Sequence, residues 1–350
     1  MGLCAKSMKY FAVFLASLGI SWAATPLVAS LAVRLRLVDE PNERRINTRP
    51  VPTGGGAAIF IGFILPVLFA LPMSRFLAGL ILCSFLMLTL GLVDDRRSLS
   101  PKAKFIGQVI VSLLLTFYGV RIDFVSNPFG GMFYLGRLAI PLTIFWLVAV
   151  TNIINLIDGL DGLAAGITCI ACLPLFLIAF QRGQEVAALL TIALAGSSLG
   201  FLRHNFNPAK IFMGDGGAMF LGFMLGAISV QGTLKGPAAI ALSVPVLILG
   251  LPFFDTVFAI VRRFWRGRPI YAADNGHVHH RLLAMGLSQR EAVMVMYLVS
   301  SFLGILALRI AGMNSAASTL TQIVAAVILL LGVRRLGTST SGRFKDRLGS

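Results

Sequence analysis

Phe76-Leu77-Ala78-Gly79-Leu80-Ile81-Leu82-Cys83-Ser84-Phe85-Leu86-Met87-Leu88-Thr89-Leu90-Gly91-Leu92-Val93 carries no charge and stops abruptly against Asp94-Asp95-Arg96-Arg97. As a helix this run is about 27 Å long, close to the ~30 Å of hydrocarbon in a bilayer. A burst of charge at the end of such a run marks the membrane boundary. Comparable runs recur at 10–33, 54–73, 105–120, 138–154, 163–181, 186–202, 216–231, 238–261, 292–311 and 316–333, with little between them. The expected fold is an all-α integral membrane protein of about eleven transmembrane helices. Composition agrees: 57% of the 350 residues are hydrophobic and 13% charged, against about 25% charged in a soluble domain. Mean hydropathy is +0.87. These values exclude a soluble enzyme and a disordered chain. Four cysteines, mostly inside apolar runs, are too few for a disulfide scaffold. Lys6 and Lys9 ahead of the first run suggest a signal peptide, but the run is too long for one and lacks a small-residue cleavage site.

Charge gives the orientation. With the N-terminus outside, the segments 34–53, 94–104, 151–162, 203–215, 262–290 and 334–350 face inward and hold 22 of the 30 Lys and Arg, as the positive-inside rule requires. The net charge of +16 is thereby topological and calls for no nucleic-acid partner. Residues 1–335 read as a single polytopic domain and 336–350 as a basic, disordered cytoplasmic tail. Outward-facing Ile122–Gly136, with Asn127-Pro128-Phe129-Gly130-Gly131 at its centre, reads as a small periplasmic β-hairpin. No repeat of the hydropathy pattern suggests the inverted halves of a transporter.

Twelve of the fourteen acidic residues lie in or beside the inward segments, although carboxylates contribute little to orientation. Four segments account for this. In Asp94-Asp95-Arg96-Arg97-Ser98-Leu99-Ser100-Pro101-Lys102-Ala103-Lys104, adjacent carboxylates need a cation nearby. Mg²⁺ holding phosphates is a natural candidate; a solvated helix end flanked by arginines is the plainer one. Thr151-Asn152-Ile153-Ile154-Asn155-Leu156-Ile157-Asp158-Gly159-Leu160-Asp161-Gly162 has no basic residue. Its Asn152, Asn155 and Asp158 are spaced to line one helical face, where amides and carboxylates can read a nucleobase or sugar edge. A polar turn with two caps is the alternative. Asn205-Phe206-Asn207-Pro208-Ala209-Lys210-Ile211-Phe212-Met213-Gly214-Asp215-Gly216-Gly217 sets one carboxylate among glycines, with Phe212 as a stacking face; Asp215 also reads as a helix N-cap. In Arg268-Pro269-Ile270-Tyr271-Ala272-Ala273-Asp274-Asn275-Gly276-His277-Val278-His279-His280-Arg281, three of the four histidines fall within four residues. Without Cys or Glu at zinc spacing, and with Arg268 and Arg281 beside them, an anion site fits better than zinc.

These stretches, with Asp39-Glu40-Pro41-Asn42-Glu43-Arg44-Arg45 and Pro52-Thr53-Gly54-Gly55-Gly56, resemble the polyprenyl-phosphate N-acetylhexosamine-1-phosphate transferases. The resemblance covers most of the chain. The His277-Val278-His279-His280 form, followed by Arg281-Leu282 and Gly286-Leu287-Ser288, is similar to the N-acetylglucosamine-1-phosphate type. It departs from the three consecutive histidines of the muramoyl-pentapeptide type, which remains the alternative. The resemblance implies transfer of an N-acetylhexosamine-1-phosphate from a UDP-sugar to undecaprenyl phosphate, giving the lipid diphospho-sugar and UMP. It implies a bacterial inner membrane, an active site on the cytoplasmic face and, as is common among relatives, a homodimer. By the family pattern Asp94 and Asp95 form the catalytic pair, and Asp215 ligates Mg²⁺ with them, Mn²⁺ substituting in part. Asn155, Gly159, Leu160, Asp161 and Phe212 match uridine-recognition positions, with Asn152, Asp158 and Asn205 beside them. His277, His279 and His280, with Lys102, Lys104, Arg268 and Arg281, would contact phosphate or sugar. The long lipid tail demands a groove open to the bilayer. Asp255 lies within the ninth run, after Pro245 and Pro252, and is either functional or a packing residue. A nucleotide-sugar or lipid transporter is the rival class, but it needs a site near the midplane, whereas these groups gather on one face.

Overall fold

The computed structural model describes residues 2–40, 49–126, 132–233, 243–265 and 277–311. Helices dominate: α1 (Gly2–Arg34), α2 (Gly56–Ala70), α3 (Arg75–Arg97), α4 (Pro101–Phe117), α5 (Ala139–Ile157), α6 (Leu163–Gln181), α7 (Glu185–Asn205), α8 (Gly214–Thr233), α9 (Ser243–Ile248), α10 (Gly250–Trp265), α11 (Val278–Ala284) and α12 (Gln289–Ala311). Among the described residues, six helices are long and apolar enough to cross a membrane: α1, α3, α5, α6, α7 and α12. The protein is an all-α membrane protein. The expected runs at 54–73, 105–120 and 216–231 coincide with α2, α4 and α8. Residues 238–261, expected as one span, contain two helices parted at Leu249, and Pro252 at the start of α10 lacks the N–H that would continue the ladder. The run at 316–333 and the tail lie outside the described residues.

Little sheet accompanies the helices. Strands β1 (Val38–Asp39) and β2 (Val51–Pro52) pair antiparallel, as do β3 (Phe124–Ser126) and β4 (Met132–Tyr134). Residues 127–131, where the turn of the expected hairpin falls, are outside the described set.

Burial follows the bilayer. α7 and α8 form the centre, with α1, α2 and α6 packed on α7 and α3 and α5 on α8. Large apolar side chains face outward from the surrounding helices, among them Leu27, Phe69, Phe145, Leu298 and Phe302. Such a surface would aggregate in water and suits lipid. Lipid offers no hydrophobic drive for helix association, so close backbone approach at small residues replaces it. The decisive example lies at the end of the α3–α8 contact. A Cβ on Gly91 would strike the backbone of Gly216, and one on Gly56 would strike that of Gly217. Only glycine lets α2 and α3 meet the first turn of α8.

Local signals shape the turn after α3. Ser98 adopts φ 47° and closes α3 through its N–H to the Asp94 carbonyl. Ser100 then caps α4, accepting from the Ala103 N–H at 3.3 Å, with Pro101 in the first turn, where its missing N–H costs nothing. The short link brings the carboxylates ending α3 beside the lysine that opens α4.

Gly91→Ala should therefore lower the thermal midpoint in detergent, at an overpacking cost of about 1–3 kcal/mol, and depress activity with it. Gly19→Ala on α1, where an added Cβ meets nothing within 4 Å, should leave both unchanged. Equal midpoints for the two variants would remove the close approach as the determinant.

Candidate active site

Asp94 and Asp95 are adjacent in sequence but do different things. Asp95 reaches across to α8, where its Oδ1 accepts the Asp215 N–H at 2.8 Å and its Oδ2 the Gly216 N–H at 3.3 Å. These are orphan donors of a helix start, and a carboxylate there also meets the positive end of the macrodipole. The cap of α8 is thus Asp95, from another helix, and Asp215, expected as a possible N-cap, is freed for other work. A Cβ on Gly214 would collide with Asp95 Oδ2 and Thr53 Oγ1; at φ 74° this position favours glycine twice over.

Asp94 turns instead to Lys104. Its Oδ2 lies 2.8 Å from Lys104 Nζ, while its Oδ1 accepts the Leu99 N–H at 2.7 Å. Lys104 Nζ also lies 2.6 Å from Asp215 Oδ2. With its amide nitrogen facing Asp215, Asn155 donates to Asp215 Oδ1 at 2.9 Å and accepts from Lys104 Nζ at 3.0 Å. One ammonium therefore gathers side chains from α3, α5 and α8. Burial alone would lower the Lys104 pKa, but the Asp215 and Asp94 carboxylates outweigh it and raise it.

The carboxylates pay for this crowding. Burial pushes Asp215 up to about 7, helped by its hydrogen bond to Asp94 and the charge of Asp95, and opposed by Lys104. Asp158, just past α5, is pushed up to about 8 by burial and by the charges of Asp215, Asp95 and Asp161. Asp94 and Asp215 around one cation, with the Asp215 proton loosely held, form a site in which a hard divalent ion could take the place of a proton and the ammonium. Among the described residues no three His, Cys, Asp or Glu side chains converge on one metal-binding point; the ammonium of Lys104 occupies the space between Asp94 and Asp215.

The remaining expected residues fall into distinct places. Asn152 lies one turn before Asn155 on α5 and pairs with buried Gln108 of α4, donating at 2.6 Å. Asn205 is buried and spends its side chain on backbone: its Oδ1 accepts the Gly162 N–H at 3.0 Å and its Nδ2 donates to the Ile211 carbonyl at 2.9 Å. Asp161 Oδ2 accepts from Asn207 Nδ2 and from the Ala209 N–H, both at 2.9 Å. Leu160 is buried and Gly159 exposed. Phe212 is half-buried, and its backbone joins β2: its N–H donates to the Pro52 carbonyl at 2.8 Å and its carbonyl accepts the Gly55 N–H at 2.9 Å. The Pro52–Gly56 stretch is thereby a backbone partner of the 211–213 segment.

His279 is buried, and its Nε2 would lie 2.8 Å from a Cβ on Gly159, so the ring sits directly on the 158–162 loop. Burial lowers its pKa to about 3, with His280 and His277 adding; the ring is neutral. His280 stands 4.2 Å from it, centroid to centroid. Lys102 is exposed and Arg281 lies on α11, while Arg268 is outside the described residues.

Several supporting residues escaped the sequence reading. Gln108 and Tyr297 carry no motif signal, yet Tyr297 Oη donates to the Gly162 carbonyl at 2.5 Å; Asn207, inside the 205–217 stretch but with no role given it there, donates to Gln289 at 2.7 Å. The 158–162 loop is thus held from α7 and from α12.

A membrane bundle with clustered carboxylates, a lysine and a histidine row at one end suits transfer of a phosphorylated group. Residues 77–233 match the model of glycosyl transferase family 4, and the chain belongs to that family. It is 38% identical over 305 residues to a Bacillus subtilis (strain 168) protein named "Probable undecaprenyl-phosphate N-acetylglucosaminyl 1-phosphate transferase", covering 87% of this chain and 85% of that one. It is 36% identical to the decaprenyl-phosphate N-acetylglucosaminephosphotransferase of Mycolicibacterium smegmatis, covering 91% and 87%. Identity to the undecaprenyl-phosphate alpha-N-acetylglucosaminyl 1-phosphate transferase of Yersinia pestis is 26%, covering 87% and 84%.

The raised carboxyl pKa values have a sign. Asp158 and Asp215 hold protons in the folded state that an unfolded chain releases near pH 4, so their contribution to stability falls as pH rises from about 4 to about 8. In metal-free buffer the thermal midpoint should drop between pH 6 and pH 8, and Asp215→Asn should flatten that drop. An identical pH profile for the variant would show that Asp215 does not titrate there.

Proposed function

We propose that the protein transfers N-acetylglucosamine-1-phosphate from UDP-N-acetylglucosamine to undecaprenyl phosphate, producing undecaprenyl-diphospho-N-acetylglucosamine and UMP. The observation that carries this reading is the Asp94–Lys104–Asp215–Asn155 cluster at one end of a membrane bundle. The names of the relatives support the choice of donor and acceptor. An oxygen of the lipid phosphate attacks the sugar-bearing phosphorus of the donor, the bond to the UMP oxygen breaks, and UMP leaves. Both substrates are anions, so positioning and charge compensation supply most of the catalysis.

The donor set suits Mg²⁺, because Asp94, Asp215 and Asn155 offer hard oxygens and the carboxylates sit at raised pKa or against a cation. When bound by Asp94 and Asp215, the ion would neutralise phosphate charge. Asp95, with both oxygens on α8 amides, serves by holding the first turn of α8 in place. Lys104 is within reach of the same carboxylates and supplies a second positive charge for phosphate oxygens. The 158–162 loop and Phe212 face the nucleoside, and His277, His279 and His280 at the start of α11 face the phosphates or sugar of the donor.

In this reading eleven spans place the N-terminus and the β3–β4 pair outside and the cluster in the cytoplasm, where UDP-sugars are made. Single cysteines replacing Ser98 and Asn207, in a cysteine-free background, should resist an impermeant thiol reagent in intact cells, and one replacing Gln184 should react. The reverse pattern would overturn the orientation.

Purified protein should release UMP from UDP-N-acetylglucosamine only when polyprenyl phosphate is present. Release that ignores the lipid would sink the transferase assignment, and a different preferred sugar in a panel of UDP-sugars would correct the donor. EDTA should silence the enzyme and Mn²⁺ restore it in part. Asp215→Asn should cost several kcal/mol of transition-state stabilisation, on the scale of metal catalysis. Full turnover in excess EDTA would remove the metal from the proposal.

A further inference from the structure

Among the described residues, Asp255 is a buried carboxylate on a bundle helix that the transfer reaction leaves unused. It sits on α10 and is only 2% exposed. A carboxylate so placed is costly unless its oxygens are fully engaged, and both are. Its Oδ1 accepts the Val278 N–H at 3.0 Å, and its Oδ2 lies 3.0 Å from His277 Nδ1. The His277 proton facing this carboxylate is assigned to Nδ1, because a carboxylate oxygen accepts. That leaves Nε2 as the nitrogen available to a ligand. His277 immediately precedes α11, and its ring lies parallel to that of His279, 5.8 Å away and within 1°. His279 in turn rests on Gly159, and its buried Nδ1 has no partner among the described residues.

A single chain of contacts therefore runs from α10 to the 158–162 loop: Asp255, His277, His279, Gly159. We propose that Asp255 is a positioning residue for the transfer. By holding His277 Nδ1 and the Val278 N–H together, it sets the tautomer of His277 and seats the first turn of α11. The histidine row is thereby fixed against the loop to receive the phosphates or sugar of the donor. This rests on the reading above that the histidines serve the nucleotide-sugar. Buried carboxylates that orient histidines commonly govern ring tautomer and orientation in this way.

The test uses the full-length purified protein and a double-mutant cycle. Asp255→Asn is close in shape: its carbonyl oxygen can still accept the Val278 N–H, but its amide nitrogen donates, which forces the opposite tautomer on His277. Expected is a fall of about tenfold to a hundredfold in kcat/KM for UDP-N-acetylglucosamine, by analogy with other histidine-orienting partners. The loss should appear mainly as a higher KM for that donor, with KM for polyprenyl phosphate unchanged. His277→Ala should show the same pattern, and D255N/H277A should be no worse than H277A alone, because one residue acts through the other. Losses that multiply, or that fall equally on both substrates, would overturn the inference and leave Asp255 a packing residue. Full activity in H277A would instead overturn the donor-side reading of the histidines, and the inference with it. Nitrogen NMR of ¹⁵N-histidine-labelled wild type, with H277A assigning the signal, needs no folded Asp255 variant. A proton on His277 Nδ1 supports the proposal, and a neutral ring protonated only on Nε2 overturns it.

Discussion

The contact of α3 with the first turn of α8 governs the site. Gly91 and Gly216 allow the two backbones to meet, and that closeness lets Asp95 reach the Asp215 and Gly216 amides. Adjacent residues at the end of a helix point about 100° apart. With Asp95 committed to α8, Asp94 is turned toward Lys104 and the Leu99 amide. Asp215 is carried to the far side of the same ammonium by the helix that Asp95 caps. Carboxylates this close would repel one another, and the arrangement survives because each has a compensating partner: two helix-start amides, one lysine, one asparagine. Proton uptake at Asp158 and Asp215 relieves what repulsion is left.

Below this layer the molecule relies on shape, and within it on hydrogen bonds. In hydrocarbon, helices gain little from burying apolar surface, so α7 closes on α1 at Gly196 and Gly200, and α8 on α5 at Gly222 and Gly226, where small residues permit close approach. At the polar end the irregular backbone must be satisfied by side chains, because a loop at membrane depth is tolerated only inside protein. Gly162 shows how completely this is done: its N–H goes to Asn205 and its carbonyl to Tyr297. Asp161 is fixed by Asn207 and the Ala209 amide. These bonds hold Asp161 and Gly162 in place without any ligand, which favours recognition by preorganisation.

The helices were legible because a span is a continuous apolar run, and continuity is a local property. Asp94, Asn155 and Asp215 stand out in the sequence because they lie where an apolar run stops and no topological rule demands them, and the structure brings all three to Lys104. Their division of labour was not legible. Nothing in Asp94-Asp95 says which one will cap a helix more than a hundred residues away, because that depends on the rotation of α3 against α8. Asn205 read as a ligand-binding amide and proves to staple two backbone segments, a role indistinguishable from the first in composition alone. Tyr297 and Gln108 lie inside apolar runs, where a polar group looks like noise until its partner is known. The break at Leu249 was partly visible through Pro245 and Pro252, but proline alone does not say whether a helix bends or divides.

A lysine between carboxylates also bears on how two anions can be brought together. In the proposed reaction the donor carries a diphosphate and the acceptor a phosphate, and both must approach a region already rich in Asp. The carboxylates close to Lys104 hold it charged, as its raised pKa shows. A cation that compensates carboxylates in the resting protein is also one that phosphate oxygens can attract once other positive charge reaches Asp94 and Asp215. The cluster would then exchange partners with little change in its net charge, and burying the anions would cost less than in a site assembled from neutral groups. The same balance explains why Asp94 and Asp215 sit beside Lys104. They hold that positive charge in a defined place, where a purely basic surface would bind phosphate strongly but without fixed geometry.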